Sequence, residues 1–121
     1  MFNVKVKIGL SSIHGFGLYA AESIRLGQKI YTPNDNLDLY LTNDEFSDLF
    51  ENEQQTIKHY GFFDKKKQMW HLSFDDIRFC NHNSNGNMTL AGEVLVAKRD
   101  IKIGEELTQD YSEFEALRKE V

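Results

Sequence analysis

The 121-residue chain has a single cysteine and a single proline. Cys80 therefore has no intrachain disulfide partner, and a cysteine-rich zinc site is excluded. Such usage fits a reducing compartment. One proline, Pro33, marks no interdomain linker. Long apolar runs are absent too: stretches such as Val94 to Ala97 fall far short of a membrane span. The opening "MFNVKVKIGL" lacks the apolar core of a signal peptide. Nor is there a basic excess, since 14 Lys and Arg face 19 Asp and Glu for a formal charge of -5. That balance argues against a duplex-coating nucleic-acid binder. It suits a basic peptide as partner and serves solubility equally well. The expectation is one intracellular domain over residues 1–121, with one modest core, no membrane and no direct nucleic-acid partner.

The residues present read as many short elements. Val4, Val6 and Ile8 alternate with Lys5 and Lys7, the period of a half-buried strand. "HGFGLYAAESIRLGQKIY" offers two short strands, and "TPNDN" a turn. Thr42-Asn43-Asp44-Glu45 has capping-box spacing ahead of Phe46, Leu49, Phe50 and Ile57, which predicts a helix from about Asn43 to Lys58. "YGFFD", "KKKQ" and "MWHLS" read as strand, turn and strand. Leu90 to Ala97 is predicted as one strand, "DIKIGEELTQDY" as a turn and a short strand, and Ser112 to Val121 as a final helix. The fold class is α+β, mostly β.

Three stretches carry chemistry when taken together. "HGFGLYA" holds a G-x-G at Gly15 and Gly17. "RFCNHNSNGN", from Arg78 to Asn87, packs four asparagines, a histidine and the cysteine into ten residues. "GEELTQDY" ends at Tyr111. Singly they are weak, because paired glycines usually mean only a tight turn. In this order and separation they resemble the SET-domain family of protein lysine methyltransferases, whose pattern is G-x-G, then R-F-x-N-H-S-C-x-P-N, then G-E-E-L-x-x-D-Y. The resemblance covers nearly the whole chain. Its length is similar to compact viral and bacterial members without flanking zinc-binding regions. Two departures stand out: Asn83-Ser84 replaces Ser-Cys, and Gly86 replaces Pro, placing Asn85-Gly86 as a tight-turn pair.

The resemblance implies a SET-domain (β-clip) fold of short curved sheets with a knot-like C-terminal segment, an arrangement rare among folds. It implies an enzyme that transfers a methyl group from S-adenosyl-L-methionine to a lysine ε-amine of a histone tail or similar basic peptide. Tyr111 becomes the catalytic tyrosine, orienting donor and acceptor. Gly15, Phe16, Gly17, Arg78, Phe79, Asn81 and His82 become cofactor-binding, with Tyr111 and Phe114 beside them. Tyr60, Gln109 and Tyr111 would line the lysine channel. No metal is required. A nuclear or cytoplasmic location follows, the host nucleus for a viral protein, and a second subunit or the C-terminal helix would cover the cofactor pocket.

Plainer readings stand beside these. Tyr111 can be a core tyrosine with a satisfied hydroxyl, His82 a turn histidine, Asn81 a left-handed turn residue and Phe114 a core contact of the last helix. A catalytically silent, peptide-binding SET module and a methyltransferase with a non-histone substrate are the rival functions. His14, His59 and His71 show no ligand spacing and read as surface or core histidines. Trp70 reads as core, Lys65 to Lys67 as a solvated hairpin tip, and Asp75 as a turn cap or a partner of Arg78.

Overall fold

The computed structural model describes residues 1–113. The chain begins with β1 (Val6–Leu10), β2 (Phe16–Ala20), β3 (Lys29–Tyr31) and β4 (Leu39–Leu41). Two helices, α1 (Asn43–Ser47) and α2 (Glu51–Tyr60), precede β5 (Phe62–Asp64) and β6 (Met69–Leu72). A 3-10 turn (Asp76–Phe79) leads into β7 (Asn81–His82), β8 (Met88–Ala91), β9 (Val94–Ala97) and β10 (Glu106–Gln109). The α+β, mostly β class expected from the sequence is what these elements form.

One sheet runs β1-β2-β10-β8-β9-β3, with β7 also pairing β10, and a second runs β4-β6-β5. The larger core lies on the first sheet, where Leu18, Ile30 and Leu107 are fully buried. Each such side chain contributes about 1.5–3 kcal/mol relative to exposure. The smaller core joins α1 and α2 to the second sheet through Phe46, Ile57, Phe63 and Trp70. Trp70 stacks on Phe46 with centroids 4.2 Å apart and donates its indole N–H to Asn43 Oδ1 at 3.1 Å, so it is core, as expected.

The backbone of β10 is gripped by the asparagine-rich loop. Gln109 pairs with both His82 and Met88, so the residues between those two straddle the strand. The Asn83 N–H donates to Gln109 O, and Arg99 donates to the carbonyls of Asn85 and Gly86. A Cβ at position 86 would lie 2.9 Å from Gln109 Cα and from Thr108 O. Glycine stands where the family pattern has proline because strand and loop touch backbone to backbone here.

Three sequence expectations need correction. The helix from Asn43 to Lys58 is two helices. Thr42 and Glu45 form the expected reciprocal cap, at 3.1 and 2.9 Å. A second start follows at once: Glu53 accepts the Phe50 N–H at 2.9 Å, and Gln54 donates to the Leu49 carbonyl at 3.1 Å. These side chains satisfy the backbone groups of a break, so the chain restarts rather than continuing. Leu90 to Ala97 is a hairpin, β8 to β9, turning at Gly92 with φ +67°. The alternation of β1 overstates burial: Val4 is buried, but Ile8 is 40% exposed on an edge strand whose partner is β2. The predicted final helix from Ser112 lies, beyond Glu113, outside the described residues.

Candidate functional site

A cleft of about 520 Å³ opens where four segments converge. Ile13, His14, Gly15 and Phe16 come from the turn before and into β2. Lys58, His59 and Tyr60 come from the last turn of α2. Arg78 to His82 come from the 3-10 turn and β7, and Tyr111 from the turn after β10. Five rings form a chain along it. Centroid distances are 6.1 Å for His14–His59, 4.5 Å for His59–Tyr60, 5.7 Å for Tyr60–Phe79 and 6.4 Å for Phe79–Phe16. The Arg78 guanidinium sits 5.8 Å from the Tyr60 ring and 5.4 Å from that of Phe79. No carboxylate lines this cleft among the described residues.

Tyr111 is held at both ends. Asp110 accepts the Ser112 N–H at 2.9 Å, turning the chain after β10, and that bond holds the Asp110 carboxyl below its ordinary range. The Tyr111 N–H then donates to His82 Nδ1 at 2.9 Å. His82 therefore accepts at Nδ1, which leaves its ring proton on Nε2. The Tyr111 hydroxyl donates to the Cys80 carbonyl. Burial, with Glu106 adding to it, pushes the Cys80 thiol up to about 12. That thiol is inert at neutral pH.

Asn81 lines the cleft, and its Nδ2 is directed at His14 O (3.1 Å), Phe16 O (2.9 Å) and Glu106 Oε2 (3.0 Å). Its amide thus ties the G-x-G turn to β7 and β10. The two glycines also have different tasks. Gly15 lines the cleft with φ +47°, a conformation L side chains rarely adopt. At Gly17 a Cβ would sit 2.4 Å from Glu106 Oε2. Gly17 makes room for a carboxylate, where the sequence suggested room for a cofactor.

A second cleft, of about 320 Å³, takes neighbouring residues from the same segments. Ile77 of the 3-10 turn lines it, whereas Arg78 and Phe79 line the first; Glu113 lines it, whereas Tyr111 lines the first. Its walls include Tyr31, Tyr40, Phe62 and Leu90, with Asp35, Asp64, Glu93 and Glu113 beside Lys66 and Lys67. Lys67 is engaged by Asp35 at 3.6 Å and the Tyr40 hydroxyl at 3.2 Å. Burial, then the bond to Asp35, pushes the Tyr40 phenol up to about 12. His71 is buried here on Asp38, Nε2 to Oδ2 at 2.7 Å, with the Tyr40 ring stacked on it at 4.4 Å. Asp75 accepts the Tyr31 hydroxyl and the Ile77 N–H, the cap expected of it.

The SET domain family model matches residues 15–112. The chain belongs to the SET-domain family. Among curated proteins it is similar to "Putative histone-lysine N-methyltransferase 1" of Plasmodium falciparum, 28% identical over 128 residues. The match covers 90% of this chain and 2% of that protein, so the chain spans a very small part of that relative's length. Among solved structures it is similar to ctPRC2 in an autoinhibited conformation bound to S-adenosylmethionine. There the TM-score is 0.65 at 25% identity, over 91% of this chain and 15% of that one. The Chaetomium thermophilum Polycomb Repressive Complex 2 bound to GSK126 gives 0.69 at 24%, over 91% and 16%. A putative histone methyltransferase of Plasmodium falciparum gives 0.64 at 19%, over 90% and 94%, a likeness of fold.

Within this SET domain the first cleft gathers Gly15, Phe16, Arg78, Phe79, Asn81, His82 and Tyr111 as the motifs suggested. Tyr60, expected on the lysine side, lies in that same cleft, edge-on to Phe79. Gln109 lines neither cleft; it is 2% exposed, and its Nε2 has no partner among the described residues. Phe114 lies outside the described residues. Sequence reasoning missed Ile13, His14, Lys58 and His59, all within two positions of residues it did choose. It also missed Ser11 and Glu106, which had no local signal, because Ser11 and Glu106 are 95 residues apart. Among the described residues no group of three metal-ligating side chains occurs, and no helix is long and apolar enough to cross a membrane.

Proposed function

We propose that this SET domain is an S-adenosylmethionine-dependent protein lysine N-methyltransferase, with the cofactor in the first cleft and a basic peptide in the second. One observation carries the reading. Residues 77–80 and 111–113 divide between the two clefts, Ile77 and Glu113 lining the second and Arg78 to Cys80 and Tyr111 the first, and from this we infer a partition between them that carries Tyr111. Methyl transfer by in-line displacement needs donor and acceptor to approach one carbon from opposite sides. The SET-domain match and the S-adenosylmethionine-bound relative support the choice of chemistry.

The residues of the first cleft fit such a group. Aromatic faces of Phe16, Phe79 and Tyr60 suit an adenine and a sulfonium, since cations are attracted to ring faces. Arg78 and Lys58 suit a carboxylate. The bound cofactor supplies an electrophilic methyl group. The protein supplies orientation. Tyr111, pinned through Cys80 O and His82 Nδ1, holds a polar hydroxyl at a fixed place on the partition. The second cleft's four carboxylates against two lysines favour a cationic chain. A lysine amine entering a poorly hydrated site beside a positive centre loses its proton more readily than in water.

A histone tail is the basic peptide proposed first, in line with the name of the curated relative. Gln109, expected on the lysine channel, lines neither cleft, so its buried, unpartnered Nε2 is not assigned to the channel wall. For a homodimer, the outer edge of β1 with exposed Ile8 and Leu10 is the supporting surface. The test is intact-mass and peptide mass spectrometry of a histone mixture incubated with protein and S-adenosylmethionine. Lysine mass gains of methyl units support the proposal; cofactor binding without any methylated product contradicts it.

A further inference from the structure

The wall of the first cleft formed by residues 13–16 is the β1–β2 turn, closed by the Ser11 N–H on Gly15 O and braced by one carboxylate from outside the cleft. Glu106 projects from β10, on the strand face opposite the buried Leu107 and Gln109. Both of its oxygens lie 2.9 Å from Ser11 Oγ, and Oε2 lies 3.0 Å from Asn81 Nδ2. Ser11 Oγ in turn accepts the N–H groups of Ile13 (2.9 Å) and His14 (3.4 Å). Asn81 donates to the carbonyls of His14 and Phe16. One carboxylate thus holds a hydroxyl and an amide, and those two hold the donors and acceptors of the turn from both sides.

Glu106 makes no salt bridge among the described residues; its hydrogen-bond partners are neutral. The space it occupies exists because residue 17 has no Cβ. Two features written far apart in the sequence, the second glycine of G-x-G and the second glutamate of G-E-E-L, are therefore one fitted pair.

We propose that Glu106 is a positioning residue that sets cofactor affinity by holding the 11–17 turn and Asn81 in their cleft-forming geometry. The proposal rests on the cofactor reading of the first cleft. A glutamine at this position keeps the shape but turns one acceptor into a donor. That donor faces either the Asn81 amide or a Ser11 oxygen already accepting two N–H groups. Losing hydrogen bonds to a charged acceptor lowers affinity by roughly tenfold or more when the held groups form a binding wall.

The test compares wild type, Glu106→Gln and Ser11→Ala, at a temperature where circular dichroism shows each to be folded. S-adenosylhomocysteine affinity is measured by calorimetry, turnover at saturating S-adenosylmethionine by product formation, and amide exchange of residues 11–17 in the ligand-free protein. The expected result is faster exchange of that segment and a Kd raised about tenfold in Glu106→Gln, with a smaller rise in Ser11→Ala. Turnover at saturating cofactor stays within a few-fold of wild type. If Glu106→Gln does not fold, Ser11→Ala carries the test alone. Wild-type affinity in the folded variants overturns the proposal, as does a loss confined to saturated turnover. Failure of wild type to bind contradicts the cofactor reading instead. The exchange rates then decide for Glu106, and unchanged exchange overturns it.

Discussion

The two clefts draw neighbouring residues from the same two segments, 77–80 and 111–113, and differ in nearly everything else. The first is ringed by His14, His59, Tyr60, Phe79 and Phe16, carries Lys58 and Arg78, and has no lining carboxylate among the described residues. The second pairs Tyr31, Tyr40 and Phe62 with four carboxylates and two lysines, one of them already engaged. On the proposed reading the first cleft takes a ligand with a carboxylate and an aromatic base, and the second a basic chain.

The strongest way to break this comparison is at the partition. Tyr111→Phe removes one hydroxyl and its bond to Cys80 O, leaving the His82 bond to the backbone. Methyl transfer is expected to fall by about 10²–10³-fold, the size seen when one positioned polar group is lost from a reaction centre. S-adenosylhomocysteine affinity should be nearly unchanged. Single-turnover rates and calorimetry on the same preparation check both, and near-normal transfer would remove Tyr111 from the mechanism.

A smaller effect belongs to the second cleft alone. The attacking amine must be neutral, and its reference pKa is about 10.4. With peptide below saturation and chemistry limiting, the rate should rise about tenfold per unit from about pH 7 to about pH 9, unless the site depresses that value first. Cofactor affinity should not follow that slope. Parallel pH series for turnover and binding make the comparison, and a flat turnover profile would contradict it.

The smallest expected effect is electrostatic. Glu93, exposed at the β8–β9 turn, borders the second cleft. Glu93→Lys should raise the KM for a basic peptide by about three- to tenfold, more at low salt, and leave the cofactor Kd alone. Steady-state kinetics at two salt concentrations read this directly.

Much of this site was legible because its motifs carry their own local chemistry. Arg78, Phe79, His82 and Tyr111 fall in one cleft as their order in the sequence implied. What stayed hidden depends on contacts between distant segments. Gly17 looked like a cofactor contact, and only the folded neighbour Glu106 shows what its missing side chain makes room for. Asn81 looked like a ligand-holding amide, yet its donors are drawn to the turn 65 and 67 residues before it. Tyr60 lies beside Phe79 because the end of α2 packs next to the 3-10 turn, an outcome without local signature. The broken helix was nearer to legible: Glu53 stands three residues after Phe50, the same spacing that marked the first cap.

The division of labour between the clefts can be read most directly by hydrogen exchange with each ligand alone. S-adenosylhomocysteine is expected to slow exchange in residues 13–16, 58–60 and 78–82. A lysine-containing basic peptide is expected to slow it in residues 31–40, 62–73 and 90–93, with both ligands protecting the partition at 77–80. Outside residues 77–80, protection of the same segments by both ligands, or of the second set by the cofactor product alone, would contradict the assignment of the two faces.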